Sequence, residues 1–438
     1  MLPTLPRREL LRLGALSVLA GPSLALGETG APVMPRRKCI FILLQGGPSH
    51  IDLYDNKPEA PAEVRGPYRP IASAAPGVDF GELMAHTARV SQHVAVVRSM
   101  THAFNNHIAG TYVTLTGSTD QPNADREAAA HDFPGPGAAL NFLTGGASGL
   151  PVSVSLPNWL SIPGPSNRMP GQYGGFLGSS FDPFLVQGEP QKPDFRPLSL
   201  TLPPEIPVDR FTSRTQLLAG IDATIHEVET RITHTRDRLY ESAFDLLTNP
   251  RFREAIDLSR ESQEVRDLYG MTKIGQSLLL ARRLIEAGVT LVAFNEFNQH
   301  WDTHSAIENT YRNNVPPMDQ AYAALIADLQ ERGLLEETFV VNAGEFGRTP
   351  VMNNTAGRDH WPDVYSVLLA GGGIRGGQVY GESDERGAYV HSSPVSPADL
   401  LATMWHSLGI DPLTEVHDRL NRPYRLSTGR VVTELLDG

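Results

Sequence analysis

Cys39 is the only cysteine in the chain, so no internal disulfide forms and stability must rest on the core even in an oxidising compartment. It opens an apolar run and reads as a small buried hydrophobe. Positive charge is scarce as well. Against 49 Asp and Glu there are 37 Lys and Arg, a formal net charge of −12, which argues against nucleic acid or an anionic membrane surface as the main partner. A small anionic substrate stays compatible where cations locally invert the field. Past the N-terminal segment there is no apolar run long enough to cross a bilayer, and no internal repeat. What remains is an ordinary globular composition, 40% hydrophobic and 20% charged over 438 residues, enough to bury a large core as one α/β unit with insertions.

The N-terminus carries an address. Pro6-Arg7-Arg8-Glu9-Leu10-Leu11-Arg12 precedes an apolar run from Leu13 to Leu26, and Ala25-Leu26-Gly27 resembles a small-residue cleavage site. The paired arginines look like a twin-arginine export signal, expected over roughly residues 1–30. This predicts a protein of the periplasm or cell envelope, with no transmembrane anchor after signal removal. A membrane anchor and an ordinary mature helix are the competing readings, but the run is short for a span and Gly21-Pro22 interrupts it. Residues 31–438 are then expected to form one domain.

Strands alternate with helices along that domain. Cys39 to Leu44, Val94 to Val97, Pro151 to Val154, Val289 to Phe294, Phe339 to Val341 and Val364 to Ala370 read as strands, the first apolar on both faces as a central strand is. Ile274, Leu278, Ala281 and Ile285 predict one amphipathic helix stopped by Gly288, and Met318, Tyr322, Leu325, Ile326 and Leu329 another ending at Gly333. Leu83 to Val90 reads as a short helix. The closing helix has Ser396 as N-cap, Pro397 at N1, Asp399 at N3 and Gly409 as terminator. This order predicts a doubly wound, mainly parallel sheet with helices on its faces. Residues 119–207, rich in Gly, Pro, Ser and Asn, are expected to form an irregular insertion or cap. Residues 208–270 are mostly helical by pattern, either a lid or partner surface or a solvated hairpin packed on the core.

The polar residues that carry chemistry cluster after strands, where open α/β sheets bind ligands. His50 and Asp52 follow the first strand, His107 the second, Asp302 and His304 the fourth, and Glu345, Asp359 and His360 the fifth. A mixed carboxylate and imidazole set without thiolate suits Zn, Mn or Fe, and leaves Mg or Ca open at part of the site. Any one of these histidines taken alone is more often a satisfied surface or core residue than a ligand; their shared position carries the argument. Arg348 and Arg358 either clamp phosphate or sulfate oxygens or pair with a neighbouring acid.

These motifs resemble a known family. His50-Ile51-Asp52, Asn106-His107 followed by Leu115-Thr116-Gly117, Ala281-Arg282-Arg283-Leu284-Ile285-Glu286-Ala287-Gly288-Val289, Trp301-Asp302-Thr303-His304, Glu345-Phe346-Gly347-Arg348-Thr349-Pro350 and Gly357-Arg358-Asp359-His360-Trp361 are similar to the bacterial family called domain of unknown function 1501. The likeness covers nearly the whole mature chain. It implies the three-layer sandwich of alkaline phosphatases and arylsulfatases, with one or two divalent ions (Zn, Mn, Mg or Ca) at the strand ends. It also implies a small anionic ester or a sulfated or phosphorylated glycan as substrate. The carry-over is incomplete, because the hydroxyl nucleophile of those enzymes aligns with His107, which here is a metal ligand or a phosphohistidine-type nucleophile. Thr111, Thr101 and Ser99 are the hydroxyls nearby in sequence. The expectation is an exported metal-dependent hydrolase of sulfate or phosphate esters working by attack of metal-bound hydroxide. Its ligands are drawn from His50, Asp52, His107, Asp302, His304, Glu345, Asp359 and His360, with Arg348 or Arg358 on the anion. The alternative is a non-catalytic, metal-containing binding or scaffold protein of the envelope.

Overall fold

A computed structural model describes residues 33–145, 149–161, 168–197, 249–296 and 299–437. The expected export signal and most of the helical stretch 208–270 lie outside the described residues.

Among the described residues eight strands form the main sheet: β1 (Lys38–Leu43), β2 (Val94–Met100), β3 (Ser153–Leu156), β4 (Phe184–Leu185), β5 (Leu291–Asn295), β6 (Thr338–Ala343), β7 (Tyr365–Ala370) and β8 (Gln378–Tyr380). Their order is β8-β2-β7-β6-β1-β5-β3-β4. β1 lies at the centre, parallel to both β5 and β6. Its run Cys-Ile-Phe-Ile-Leu is buried throughout because both faces are covered. Ile40 and Ile42 enter one core, while Cys39, Phe41 and Leu43 enter the other. Each such fully buried Ile or Phe contributes roughly 1.5–3 kcal/mol. Burial also pushes the Cys39 thiol pKa up, as suits an inert apolar filler.

Among the described residues five longer helices cover the two faces: α1 (His107–Thr116), α2 (Pro136–Thr144), α3 (Lys273–Ala287), α4 (Ile307–Glu331) and α5 (Pro397–Ser407). α3 and α4 supply Leu278, Ile285, Met318 and Leu325 to the first core. α1, α2 and α5 supply Ile108, Leu140 and Leu401 to the second. The result is a mostly parallel sheet between two helical layers. Local signals act as expected at several ends. Thr272 accepts from Gly275 N at the start of α3, and Gly288 closes it in the left-handed region. Ser396 and Asp399 form a reciprocal capping box on α5. α4 begins eleven residues before the expected apolar face at Met318 and runs through Pro316 and Pro317. Two prolines normally interrupt a helix; here Ile307, Tyr311 and Val315 are buried ahead of them and carry the helix through.

Part of the 119–207 region joins the scaffold, since β3 and β4 extend the sheet edge beside β5. β7 is reversed, antiparallel to both β2 and β6. Between β6 and β7 the chain forms a small ribbon in which Arg348 pairs with His360 and Gly347 with Trp361. That ribbon returns the chain to the end of the sheet from which it left, so residues far apart on the loop meet there. Among the described residues no helix is long and apolar enough to cross a membrane.

Candidate metal centre

The carboxyl ends of β1, β2, β5 and β6 converge on one spot, and the ribbon after β6 closes over it. β1 leads into Gly46 and Gly47, whose φ angles are 115° and 71°. A Cβ on Gly46 would stand 2.5 Å from the Asp302 amide, so only glycine lets this backbone approach the loop that bears Asp302. The dipeptide faces two ways. Its amides donate to Glu345, from Gly46 at 2.8 Å to Oε1 and from Gly47 at 3.1 Å to Oε2. Its carbonyls accept from Arg348, the Gly47 oxygen from Nε at 2.9 Å and the Gly46 oxygen from Nη2.

Glu345 stands two residues beyond β6 and is fully buried. His107 Nδ1 lies 2.6 Å from its Oε1. His107 occupies the first turn of α1, which Asn106 caps by accepting from the amides of Ile108 and Ala109. Its Nε2 points to Asp302 Oδ2 at 3.3 Å, an ion-pair contact without hydrogen-bond direction, and the atom is buried. Burial opposes charge on this ring, but the Asp302 and Glu345 carboxylates outweigh it and lift the pKa to about 9.

Asp302 is fixed by its neighbour Trp301, which is wholly buried and bonds through its amide to the Gln45 carbonyl. Two further imidazoles meet its Oδ1, His304 Nε2 at 3.0 Å and His360 Nε2 at 3.1 Å, and Arg348 Nη2 donates to it at 2.7 Å. Burial would raise the Asp302 pKa, yet the facing His107 and His360 imidazoles and the charge of Arg348 hold it far below the usual carboxylate range. The other nitrogens of the two rings are also engaged. His304 Nδ1 lies 2.6 Å from Asp359 Oδ1, and His360 Nδ1 lies 2.7 Å from the Asn105 carbonyl. Gly357 makes this packing possible, because a Cβ there would fall 2.2 Å from the His304 backbone. Ligand atoms of His107, Asp302 and His360 all lie within 4.8 Å of one another.

Several expected residues stand elsewhere. Asp52 is buried against Arg358, which donates from Nε at 2.8 Å, and against Ser49 Oγ at 2.5 Å. His50 Nε2 meets the Gly387 carbonyl at 2.9 Å, and burial pushes its pKa down. Neither residue joins the cluster, because the short helical turn after β1 points both side chains into the interior. The expected anion clamp is also corrected. Arg348 and Arg358 are both fully buried. Arg358 spends its donors on Asp52 and on the carbonyls of Val64, Thr349 and Pro350. Arg348 spends its own on Gly46, Gly47, Arg358 and Asp302. A guanidinium committed to backbone in this way ties loops together and presents no free fork to solvent.

Residues that sequence reasoning passed over hold the frame. His102 Nε2 meets the Glu345 carbonyl at 2.6 Å, and its Nδ1 accepts from the Phe104 amide. Burial, the dominant cause, brings its pKa down to about 4. Gly46 and Gly47 act through backbone groups and Asn105 through its carbonyl; their signal was only the Gly-Gly and Asn-Asn pairs beside the histidines. Of the candidate hydroxyls, Ser99 Oγ is committed to the Ser393 carbonyl at 2.6 Å, and Thr111 Oγ1 is buried without a partner.

The donor chemistry fits a divalent ion. Acceptors at all three Nδ1 positions place the ring protons there in the neutral tautomers, which leaves the Nε2 lone pairs to converge on one carboxylate.

A family model described as "Protein of unknown function (DUF1501)" matches residues 36–436. No match was found among the curated proteins. Among solved structures, the chain is similar to the PsFucS1 sulfatase from Pseudoalteromonas sp. at 13% identity and TM-score 0.39, covering 93% of this chain and 72% of that one. It is similar to the phosphonate monoester hydrolase SpPMH from Silicibacter pomeroyi at 11% identity and TM-score 0.39, with 93% and 76% covered. It is also similar to the C-terminal periplasmic domain of EcEptC from Escherichia coli, in complex with Zn, at 9% identity and TM-score 0.38, with 95% and 99% covered.

Proposed function

The chain belongs to the DUF1501 family, and on that premise we propose that it is an exported, metal-dependent hydrolase of sulfate or phosphate esters. The observation that carries the reading is the convergence of His107, His304 and His360, through Nε2, on the carboxylate of Asp302. Three imidazoles aimed at one acid at the carboxyl end of a parallel sheet make little sense as structural support, since each ring already has a partner on its other nitrogen.

A divalent ion held there supplies activation of water and neutralisation of negative charge building on an ester oxygen. The protein's own groups prepare the site for this. Glu345 holds the His107 ring in one orientation. Arg348 offsets the charge of Asp302 from the buried side. His304 and Asp359, 47% and 53% exposed, form the rim from which a substrate enters. The experiment is direct. Purified protein loaded with Zn or Mn is assayed against aryl sulfate and aryl phosphate esters, beside the same protein stripped by chelator and an Asp302→Ala variant. Turnover in the loaded protein alone supports the reading, and absence of turnover with metal bound removes it.

Two observations favour the second reading, a metal-containing binding or scaffold protein. Both candidate clamp arginines face inward, and no hydroxyl is hydrogen-bonded to the four converging side chains among the described residues.

A further inference from the structure

We propose that the centre takes a single transition-metal ion through Nε2 of His107, His304 and His360 and the carboxylate of Asp302, with Glu345 and Asp359 outside the coordination shell. The inference rests on the metal part of the functional reading and narrows it, since the carboxylates of Glu345 and Asp359 are then anchors for ligands.

Glu345 is fully buried and both its oxygens are occupied. Oε1 accepts from the Gly46 amide at 2.8 Å and lies 2.6 Å from His107 Nδ1. Oε2 accepts from the amides of Gly46 and Gly47 at 3.0 and 3.1 Å. The carboxylate therefore stands at the Nδ1 edge of the ring, and an ion on Nε2 lies across the ring from it. Asp359 repeats the arrangement on His304: its Oδ1 lies 2.6 Å from Nδ1 and also accepts from Asn353 Nδ2 at 3.2 Å. For His360 the same place is taken by the Asn105 carbonyl at 2.7 Å. Each ring is thus anchored at Nδ1 and turns Nε2 toward Asp302, the pattern by which outer groups orient metal-bound imidazoles.

The donor spacing suits one ion. His304 Nε2 and His360 Nε2 are 3.0 Å apart, and they lie 3.0 and 3.1 Å from Asp302 Oδ1. Donors bound about 2.0–2.1 Å from a shared ion stand about 3.0–3.4 Å from each other. Two neutral ring nitrogens at 3.0 Å face lone pair to lone pair, and either a proton or a cation must lie between them. His107 Nε2 lies 3.3 Å from the other oxygen, Oδ2; the donor atoms of His107, Asp302 and His360 all fall within 4.8 Å of one another, and His304 joins that cluster through its 3.0 Å contacts to His360 and Asp302. Paired ions about 3.5–4 Å apart need a second set of ligands. The cluster of His107, Asp302 and His360 is the metal-capable group found among the described residues, and removing Glu345 and Asp359 leaves no carboxylate for a second ion beside it. Three imidazoles and one carboxylate favour Zn, Mn or Fe over the oxygen-seeking Mg and Ca.

The test uses the full chain purified without chelator, loaded with excess Zn, desalted, and measured for ions per chain by elemental analysis and for affinity by chelator competition. One ion per chain is expected, unaffected by millimolar Mg. His360→Ala should lose it, while Asp359→Asn and Glu345→Gln should each keep one ion at saturation with affinity lowered roughly 10- to 100-fold. Thermal unfolding of each variant separates lost binding from lost folding, and Asp359, at the exposed rim, offers a substitution with little structural cost. Two ions per chain, displacement by Mg, or loss of the ion from folded Asp359→Asn at saturating Zn would overturn the assignment. Protein that takes up no ion overturns both this inference and the hydrolase reading. One bound ion without turnover of any ester upholds the inference while removing the hydrolase.

Discussion

His107 Nδ1 lies 2.6 Å from Glu345 Oε1, although 238 positions separate the two residues in the chain. The contact joins the start of α1 to the loop after β6 and sets which nitrogen of the ring faces Asp302.

Metal binding should therefore release a proton. With burial opposing it and the two carboxylates outweighing burial, His107 is held protonated up to about pH 9, and an ion requires its Nε2 lone pair. From about pH 6.5 to 9, Zn affinity should climb by up to about tenfold per pH unit and then level off. The same charge pairing stabilises the metal-free fold fully below pH 6.5, and that contribution fades as pH rises through 9. Calorimetric titrations with Zn in buffers of different ionisation enthalpy check this, and a pH-independent affinity would contradict it.

His102 works in the opposite direction. Burial lowers its pKa from 6.5 to about 4, so the unfolded chain takes up the proton first. Its contribution to stability is complete above pH 6.5 and drains away as pH falls toward 4. His102→Gln should flatten the acid limb of stability by about 3 kcal/mol over that window. Urea unfolding of metal-free protein at pH 4.5 and 7, wild type beside variant, reads the difference.

The Asp52–Arg358 pair is fully buried on both sides. Removing one partner leaves an uncompensated charge in the interior, at a cost of about 3–5 kcal/mol. Asp52→Ala should lower the unfolding midpoint sharply, yet the protein that remains folded should bind as much metal as wild type. Loss of metal from folded Asp52→Ala would return Asp52 to the ligand set.

Ser396→Ala serves as a stability change remote from the centre. It removes the reciprocal cap on α5, in which Ser396 Oγ accepts from the Asp399 amide at 3.2 Å. The expected loss is about 0.5–2 kcal/mol by thermal unfolding, with metal content and any ester turnover unchanged.

Much of this architecture is legible along the chain. The apolar run at Cys39–Leu43, the i, i+4, i+7 face of α3, Gly288 and the Ser396 box announce their elements because their causes are local: periodicity, capping chemistry and left-handed backbone. Residue type and position after a strand likewise single out His107, Asp302, His304 and His360. The same signal also selects His50, Asp52, Arg348 and Arg358, which turn inward. The reversed direction of β7 was equally silent, since an apolar strand reads the same in either orientation.

The sequence by itself determined the alternation of strands and helices and a set of polar residues at strand ends. Tertiary structure decided which of those residues meet. The sheet order sets β1 between β5 and β6, bringing Gly46, Asp302 and Glu345 together from remote parts of the chain. The antiparallel ribbon of Arg348 and His360 then folds the last histidine back onto Asp302. Whether a side chain such as Arg358 faces a ligand or a buried Asp52 depends on neighbours that sequence spacing does not encode, because they are supplied by packing between distant segments.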